Sequence, residues 1–292
     1  MSQITAIVPM LNEVKRVRRC IESLLFCEKL VLIDSFSEDD CVEVARKVWI
    51  SSGRLPVDLL ILARSWRGFT EMRNESLKWV QTPWALWVDA DEWVSKELRE
   101  ELESIKNSTS DSHSVYKMPR QSFFLNRAIR HGGWYPDRKA RFAKAQSCYW
   151  LSGPRGADVH EDLVSRDARP VALLSGHIYH EPFLDQAEQN NTNLRYSQLL
   201  AEALYQKHLQ KKRHRGYLNI YIILKVCIKF VENYVFKRGF LDGRPGLLIA
   251  IGSAQSLRWR LLHVNLLHRR SGNRANSLSI RSNDSRSHKG EL

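Results

Sequence analysis

The sequence predicts an α/β fold, a mostly parallel sheet flanked by helices, followed by a basic amphipathic helical extension. Three observations predict it. Aliphatic and β-branched runs at residues 4–8, 30–33, 57–62 and 84–88 alternate with helix-period patterns at 14–26, 39–49 and 70–80, and a βαβα order folds as parallel strands joined by crossover helices. Polar stretches at 9–13, 34–40 and 89–92 follow three of those runs, which puts them at the carboxyl ends of the strands, where such sheets bind ligands. Charge is one-sided as well. Residues 206–292 hold 18 Lys and Arg against 4 Asp and Glu, whereas residues 1–205 hold 27 against 28, so the net charge of +13 belongs to the C-terminal third.

The chain runs straight into the strand-like Ile4-Thr5-Ala6-Ile7-Val8 without the basic start and long apolar core of an export signal, so export is not expected. The five cysteines form no CxxC pair, and an odd count completes no disulfide framework, so reduced thiols and a cytoplasmic setting are expected. At 292 residues with 43% hydrophobic content the chain can bury a real core.

The fourth run, Trp84-Ala85-Leu86-Trp87-Val88, ends in Asp89-Ala90-Asp91-Glu92. Alternate residues of a strand share a face, so Asp89 and Asp91 are expected to reach one hard divalent cation together. Mg²⁺ or Mn²⁺ held there would bridge to phosphate oxygens. The other reading is that Asp91 or Glu92 caps the helical stretch at 95–105. Neither GxGxxG nor GxxxxGKS occurs, so the usual glycine cradles for nucleotide phosphates are missing.

Between 116 and 150 the chain is rich in aromatic and basic residues, with Arg120, Arg127, Arg130, Arg138, Lys139 and Arg141 around Gly132-Gly133-Trp134-Tyr135-Pro136. A loop over a phosphorylated substrate, or a solvated basic loop, fits that composition. From 217 to 236 a polar stripe of Lys225, Lys229, Glu232 and Asn233 is surrounded by a wide apolar arc. Its charges argue against a membrane span. An interfacial helix on an anionic bilayer fits better, and the alternative is a helix packed on the catalytic domain. Residues 271–292, rich in Ser, Asn and Arg, are expected to be disordered. The predicted organisation is a catalytic domain at 1–205, a basic membrane-associating region at 206–270 and a tail at 271–292.

Taken in order, Ile7-Val8-Pro9-Met10-Leu11-Asn12-Glu13, Leu32-Ile33-Asp34-Ser35-Phe36-Ser37-Glu38-Asp39, Asp89-Ala90-Asp91-Glu92 and Val159-His160-Glu161-Asp162 resemble the motifs of the inverting glycosyltransferases of family 2, which have the GT-A nucleotide-sugar fold. Arg73-Asn74, the block 132–142 and Gly239-Phe240-Leu241-Asp242-Gly243-Arg244-Pro245-Gly246 are similar to the bacterial lipopolysaccharide core β-1,4-glucosyltransferase group, and the resemblance spans roughly residues 3–268. It implies that Pro9, Asn12 and Glu13 line the nucleotide pocket, Asp34 meets the uracil or ribose, Asp89 faces the ribose and donor sugar, and Asp91 holds the metal. His177 or His180 would complete the metal or diphosphate site, with His177 the first choice, and Arg73 and Arg141 would contact the diphosphate. The base falls on Glu161, with Asp162 as runner-up, although both could merely begin a helix. Phe36 and Asp40 stand where the family loop usually has glycines, which changes the path of that loop.

The implied activity is transfer of a hexose, glucose from UDP-glucose, to a lipopolysaccharide core or other lipid-linked acceptor by a peripheral protein on the inner face of the cytoplasmic membrane. A capsular or undecaprenyl-linked glycan is the alternative acceptor. A nucleic-acid-binding module is disfavoured, because the basic residues interleave with aliphatic runs and no RNP, zinc-finger or helix-turn-helix signature occurs.

Overall fold

A computed structural model describes residues 3–108, 112–152, 161–211 and 216–287, with side chains through residue 271. The chain forms two compact units. One comprises Met1–Arg130 and Trp134–Pro182, the other His131–Gly133 and Phe183–Leu292.

In the first unit the predicted alternation is present. Strand β1 (Ile4–Met10) leads through helix α1 (Val17–Ser23) to β2 (Lys29–Asp34), and α2 (Cys41–Ser51) leads to β3 (Leu59–Ala63). Helix α3 (Phe69–Ser76) then returns the chain to β4 (Trp84–Trp87). These four strands are parallel, in the order β3-β2-β1-β4, with Ile7 opposite both Val31 and Trp87. All but one residue of β1 is buried, as a central strand covered on both faces requires.

The rest of the sheet is mixed. A short β5 (Glu92–Val94) precedes helix α4 (Lys96–Asn107); β6 (Val115–Phe124), β7 (Arg127–Ala128) and β8 (Asp137–Lys144) follow. Beyond them lie the hairpin of β9 (Cys148–Leu151) and β10 (Asp162–Ser165), then β11 (Ala172–Leu173) and β12 (Ile178–His180). The sheet continues β4-β8-β6-β12-β5, with β8 antiparallel to both its neighbours, while β7 and β11 pair on β6. The basic block expected as a loop is therefore largely sheet: Arg120 is on β6 and Arg138, Lys139 and Arg141 are on β8. Val115 packs into the core on one side of the sheet and Tyr116 and Met118 into the core on the other, which makes β6 a strand despite Pro119.

Helices α1, α2 and α4 bury Val17, Ile21, Trp49, Leu98 and Leu102 against one face of the sheet. On the other face α3 and the β9–β10 hairpin bury Met72, Trp150 and Leu163 with Trp87. Each such side chain contributes about 1.5–3 kcal/mol by leaving water. Ser95 caps α4 through a 3.1 Å bond accepted from the Leu98 N–H, so the cap belongs to neither Asp91 nor Glu92. Gly176 lets the chain before β12 lie on α4, where a Cβ would meet Leu98 backbone at 2.3 Å.

The second unit is helical: α5 (Gln186–Gln210), α6 (Asn219–Val231), a π-turn at Glu232–Phe236, a 3-10 turn at Gly239–Asp242 and α7 (Gly243–Ser287). Asp185 caps α5 by accepting from Glu188 N–H at 2.8 Å, and Glu188 accepts in turn from Leu184 N–H. Helices α5 and α7 pack together through the Ser197–Ser256 hydroxyl pair, at 2.8 Å, beside Gly252. Helix α7 runs to Ser287 and so enters the stretch for which composition predicts disorder; beyond Pro245 no proline interrupts it. Residues 288–292 lie outside the described residues. Among the described residues no helix is long and apolar enough to cross a membrane.

Candidate active site

The carboxyl ends of β1, β2 and β4 bring the predicted polar stretches to one edge. Pro9 is still within β1, opposite Ile33. Asn12, at φ 57°, takes the Ser37 hydroxyl as acceptor for its N–H at 2.9 Å, and its side-chain oxygen accepts from Glu38 N–H at 2.8 Å. Asp39 accepts from Val14 N–H at 2.9 Å and Cys41 N–H at 3.1 Å. Burial pushes its carboxyl up, but the hydrogen bonds from Cys41 and Val14 win and hold it below the usual range. These bonds stitch the loops after β1 and β2 to each other. Asp34 accepts from Ser37 N–H at 3.2 Å and from its hydroxyl at 2.5 Å, and Glu13 is bound to Arg16 at 2.7 Å. Phe36, which replaces a loop glycine of the resembled family, adopts φ 63° and is exposed.

Asp89 and Asp91 are not two alternate residues of one strand. Strand β4 ends at Trp87, and residues 89–92 form a turn closed by Glu92 N–H on Asp89 C=O at 2.8 Å. The turn sends the two carboxylates to different partners. Asp89 receives Arg73 Nη2 at 3.1 and 3.3 Å and Arg141 Nη2 at 2.8 Å. Burial alone would raise its pKa; the Arg141 and Arg73 guanidiniums overcome that and hold it well below the carboxylate range. Asp91 Oδ2 lies 3.3 Å from His180 Nε2, and the His180 ring is oriented by Ser122 Oγ at 3.1 Å from Nδ1. Here too burial pushes the carboxyl up, and His180 holds it down.

Glu161 joins this cluster through an ion pair with Arg73 Nη1. Arg73 is buried on α3 with its guanidinium 4.6 Å from the Trp150 ring. The next residue, Asn74, clamps Trp150 by a reciprocal pair of bonds, both 2.8 Å, to its C=O and N–H. Arg73-Asn74 thus does two jobs from one helix turn: it supplies the cation and fixes β9. Asp162 is exposed at the start of β10, opposite Leu151. Glu161 and Asp162 therefore lead into a strand and not a helix; Val159 and His160 lie outside the described residues.

Glu92 and Arg120 were not legible as site residues. Glu92 is fully buried, accepts from Arg120 at 3.0 Å and from Asp89 N–H at 3.1 Å, and lies 3.7 Å from Arg141. Arg120 also binds Asp137, its register partner on β8, at 2.6 Å. Their signal was the acidic turn and basic block read together, which needs the registers of β6 with β8 and of β6 with β12 and β5 to be seen. His177 does not meet Asp91, as first choice for the metal site would require; its Nε2 lies 3.0 Å from Tyr135 OH. His180, on β12, is opposite Glu92, one residue from Asp91, whereas His177 precedes the strand and stacks with Tyr135 and Tyr179.

The cluster offers ionised carboxylates, two buried guanidiniums and a carboxylate–imidazole pair. Among the described residues no group of three or more His, Cys, Asp or Glu gathers as a metal site. The Asp91–His180 pair nonetheless fits a hard divalent ion that keeps few protein ligands and takes the rest from phosphate and water.

The sequence profile described as glycosyl transferase family 2 matches residues 5–151, half of the chain. The lipopolysaccharide core biosynthesis glycosyltransferase LpsC of Rhizobium meliloti (strain 1021) is 27% identical over 266 residues, covering 88% of this chain and 92% of that protein. An uncharacterized glycosyltransferase of Rickettsia felis is 24% identical over 281 residues, covering 91% and 92%. Among solved structures, S. aureus TarS 1-349 is similar over 92% of each chain, with 16% identity and a TM-score of 0.43.

Proposed function

Since the chain belongs to glycosyl transferase family 2 and carries its GT-A fold, we propose that it is an inverting, metal-dependent enzyme that moves glucose from UDP-glucose to a lipopolysaccharide core or other lipid-linked acceptor. It would work at the inner face of the cytoplasmic membrane. The likeness to LpsC supports the acceptor class. The observation that carries the mechanism is Arg73, which ties Asp89 at the end of the central strands to Glu161.

In this reading Pro9, Asn12, Glu13 and Asp34 line the nucleoside pocket, and Asp89 faces the ribose and donor sugar. Glu161 takes the proton of the acceptor hydroxyl as its oxygen attacks the anomeric carbon. The bond from that carbon to the diphosphate breaks on the opposite face, and the electron pair leaves with the diphosphate oxygen. Arg73 orients Glu161 and, with Arg141, supplies positive charge near the departing anion. Asp91 and His180 would hold Mg²⁺ or Mn²⁺, which when bound neutralises the diphosphate charge.

Titration calorimetry with UDP-glucose, UDP-galactose and UDP-N-acetylglucosamine, with and without Mn²⁺, tests the reading. Metal-dependent binding of UDP-glucose over the others is expected. Binding of none of the three would overturn it.

A further inference from the structure

Helix α6 is turned the wrong way round for a helix in water. Ile222 and Asn233 are buried, Val226 and Lys229 are half-buried, and their spacing of three and four puts them on one inward stripe. The apolar arc faces out. Ile220 is 71% exposed and Ile223 and Leu224 are each 58% exposed; Cys227, Ile228, Val231 and Val235 continue the same stripe, which ends at Phe236, 79% exposed. Phe240 and Leu241 add to it from the following turn.

The inward side is anchored. Tyr217 N–H and C=O are clamped by the Asn265 amide of α7 at 2.6 and 2.9 Å, and α6 packs along α7. The arc is thus held outward by specific bonds. A contiguous apolar surface of this extent marks a docking face.

Charge identifies its occupant. Residues 217–246 carry five basic side chains and two acidic ones. Lys225, Arg238 and Arg244 are exposed. The two acids are taken up within the fold: Glu232 by Lys229 at 3.2 Å and Lys237 at 2.5 Å, and Asp242 by His131 at 2.9 Å. An apolar stripe with exposed cations at its borders and neutralised acids matches an anionic bilayer, with aliphatic and aromatic side chains among the acyl chains and cations at headgroup level.

We propose that the exposed arc from Ile220 to Leu241 is the surface on which this protein docks on an anionic lipid bilayer. The proposal names the surface behind the membrane setting read above and rests on that reading for its biological sense, but the docking itself requires no nucleotide sugar.

The test is co-sedimentation of the full chain with vesicles of phosphatidylcholine alone and of phosphatidylcholine with phosphatidylglycerol, for wild type and Ile223→Ser/Leu224→Ser/Phe236→Ser. These side chains are exposed, and circular dichroism checks that the variant is folded. The expected result is binding to anionic vesicles weakened at least ten-fold in the variant, and ten-fold weaker wild-type binding to neutral vesicles. Lys225→Glu/Arg238→Glu should lower anionic binding and leave the neutral level alone. Equal binding of wild type and triple variant overturns the proposal. So does a wild-type dimer, seen by light scattering, that the triple substitution dissociates while vesicles retain neither form. UDP-glucose calorimetry on the same samples separates a failure here from a failure of the glycosyltransferase mechanism.

Discussion

Arg73 holds both carboxylate oxygens of Asp89, at 3.1 and 3.3 Å, with a single guanidinium nitrogen, leaving its other terminal nitrogen to Glu161. One buried cation therefore fixes the relative position of two carboxylates that are 72 positions apart in the sequence. Planarity of the guanidinium makes this possible, and a lysine cannot reproduce it.

Arg73→Ala leaves Glu161 without its cation and Asp89 with Arg141. Breaking a buried pair costs about 3–5 kcal/mol, so thermal unfolding should move down strongly. Arg73→Lys should be the milder in stability yet still lose most turnover. Near-wild-type turnover of Arg73→Lys, measured by UDP release, would show that the fork geometry is dispensable.

Asp162 is the control for the base. Because it is exposed at the start of β10, Asp162→Asn should change kcat less than three-fold by our estimate for a surface change. A loss of two orders of magnitude would move the base to Asp162.

His180 and His177 separate metal binding from stacking. His180→Gln or Asp91→Asn should abolish the Mn²⁺ dependence of UDP binding, whereas His177→Gln should keep it. Calorimetry with UDP and Mn²⁺ decides, and the reverse pattern would restore His177 as the ligand.

Asp89 sets an acid limit to stability. Its folded pKa lies well below the unfolded value of about 3.9. Its stabilisation is therefore complete above that value and is lost as pH falls from about 4 through the depressed folded pKa. Unfolding by urea at pH 6 and at pH 3 should show a smaller pH dependence in Asp89→Asn than in wild type.

The parallel half of the sheet was legible because each of its runs is apolar, short and followed by polar residues. β6 and β8 were not, since Arg120, Arg138, Lys139 and Arg141 read as a basic loop until pairing shows Arg120 opposite Asp137. Of the residues proposed for the site, Asp89, Arg73, Arg141 and Glu161 converge. Which partner each takes was not legible. The Asp89–Asp91 divergence depends on a turn that replaces the end of a strand, and that His180 and not His177 meets Asp91 depends on the register of β12 against β5. For α6 the sequence left two readings open, because a helical period reports that two faces differ and not which one meets the protein.

The central claim is that Glu161, held by Arg73, is the base in glycosyl transfer. Its most direct test is Glu161→Gln, with UDP-glucose affinity by calorimetry and transfer to a purified lipopolysaccharide core acceptor measured on the same preparation. The account predicts affinity within about two-fold of wild type and transfer lower by about 10²–10⁴-fold, the usual range for a general base. Transfer at the wild-type rate would contradict it.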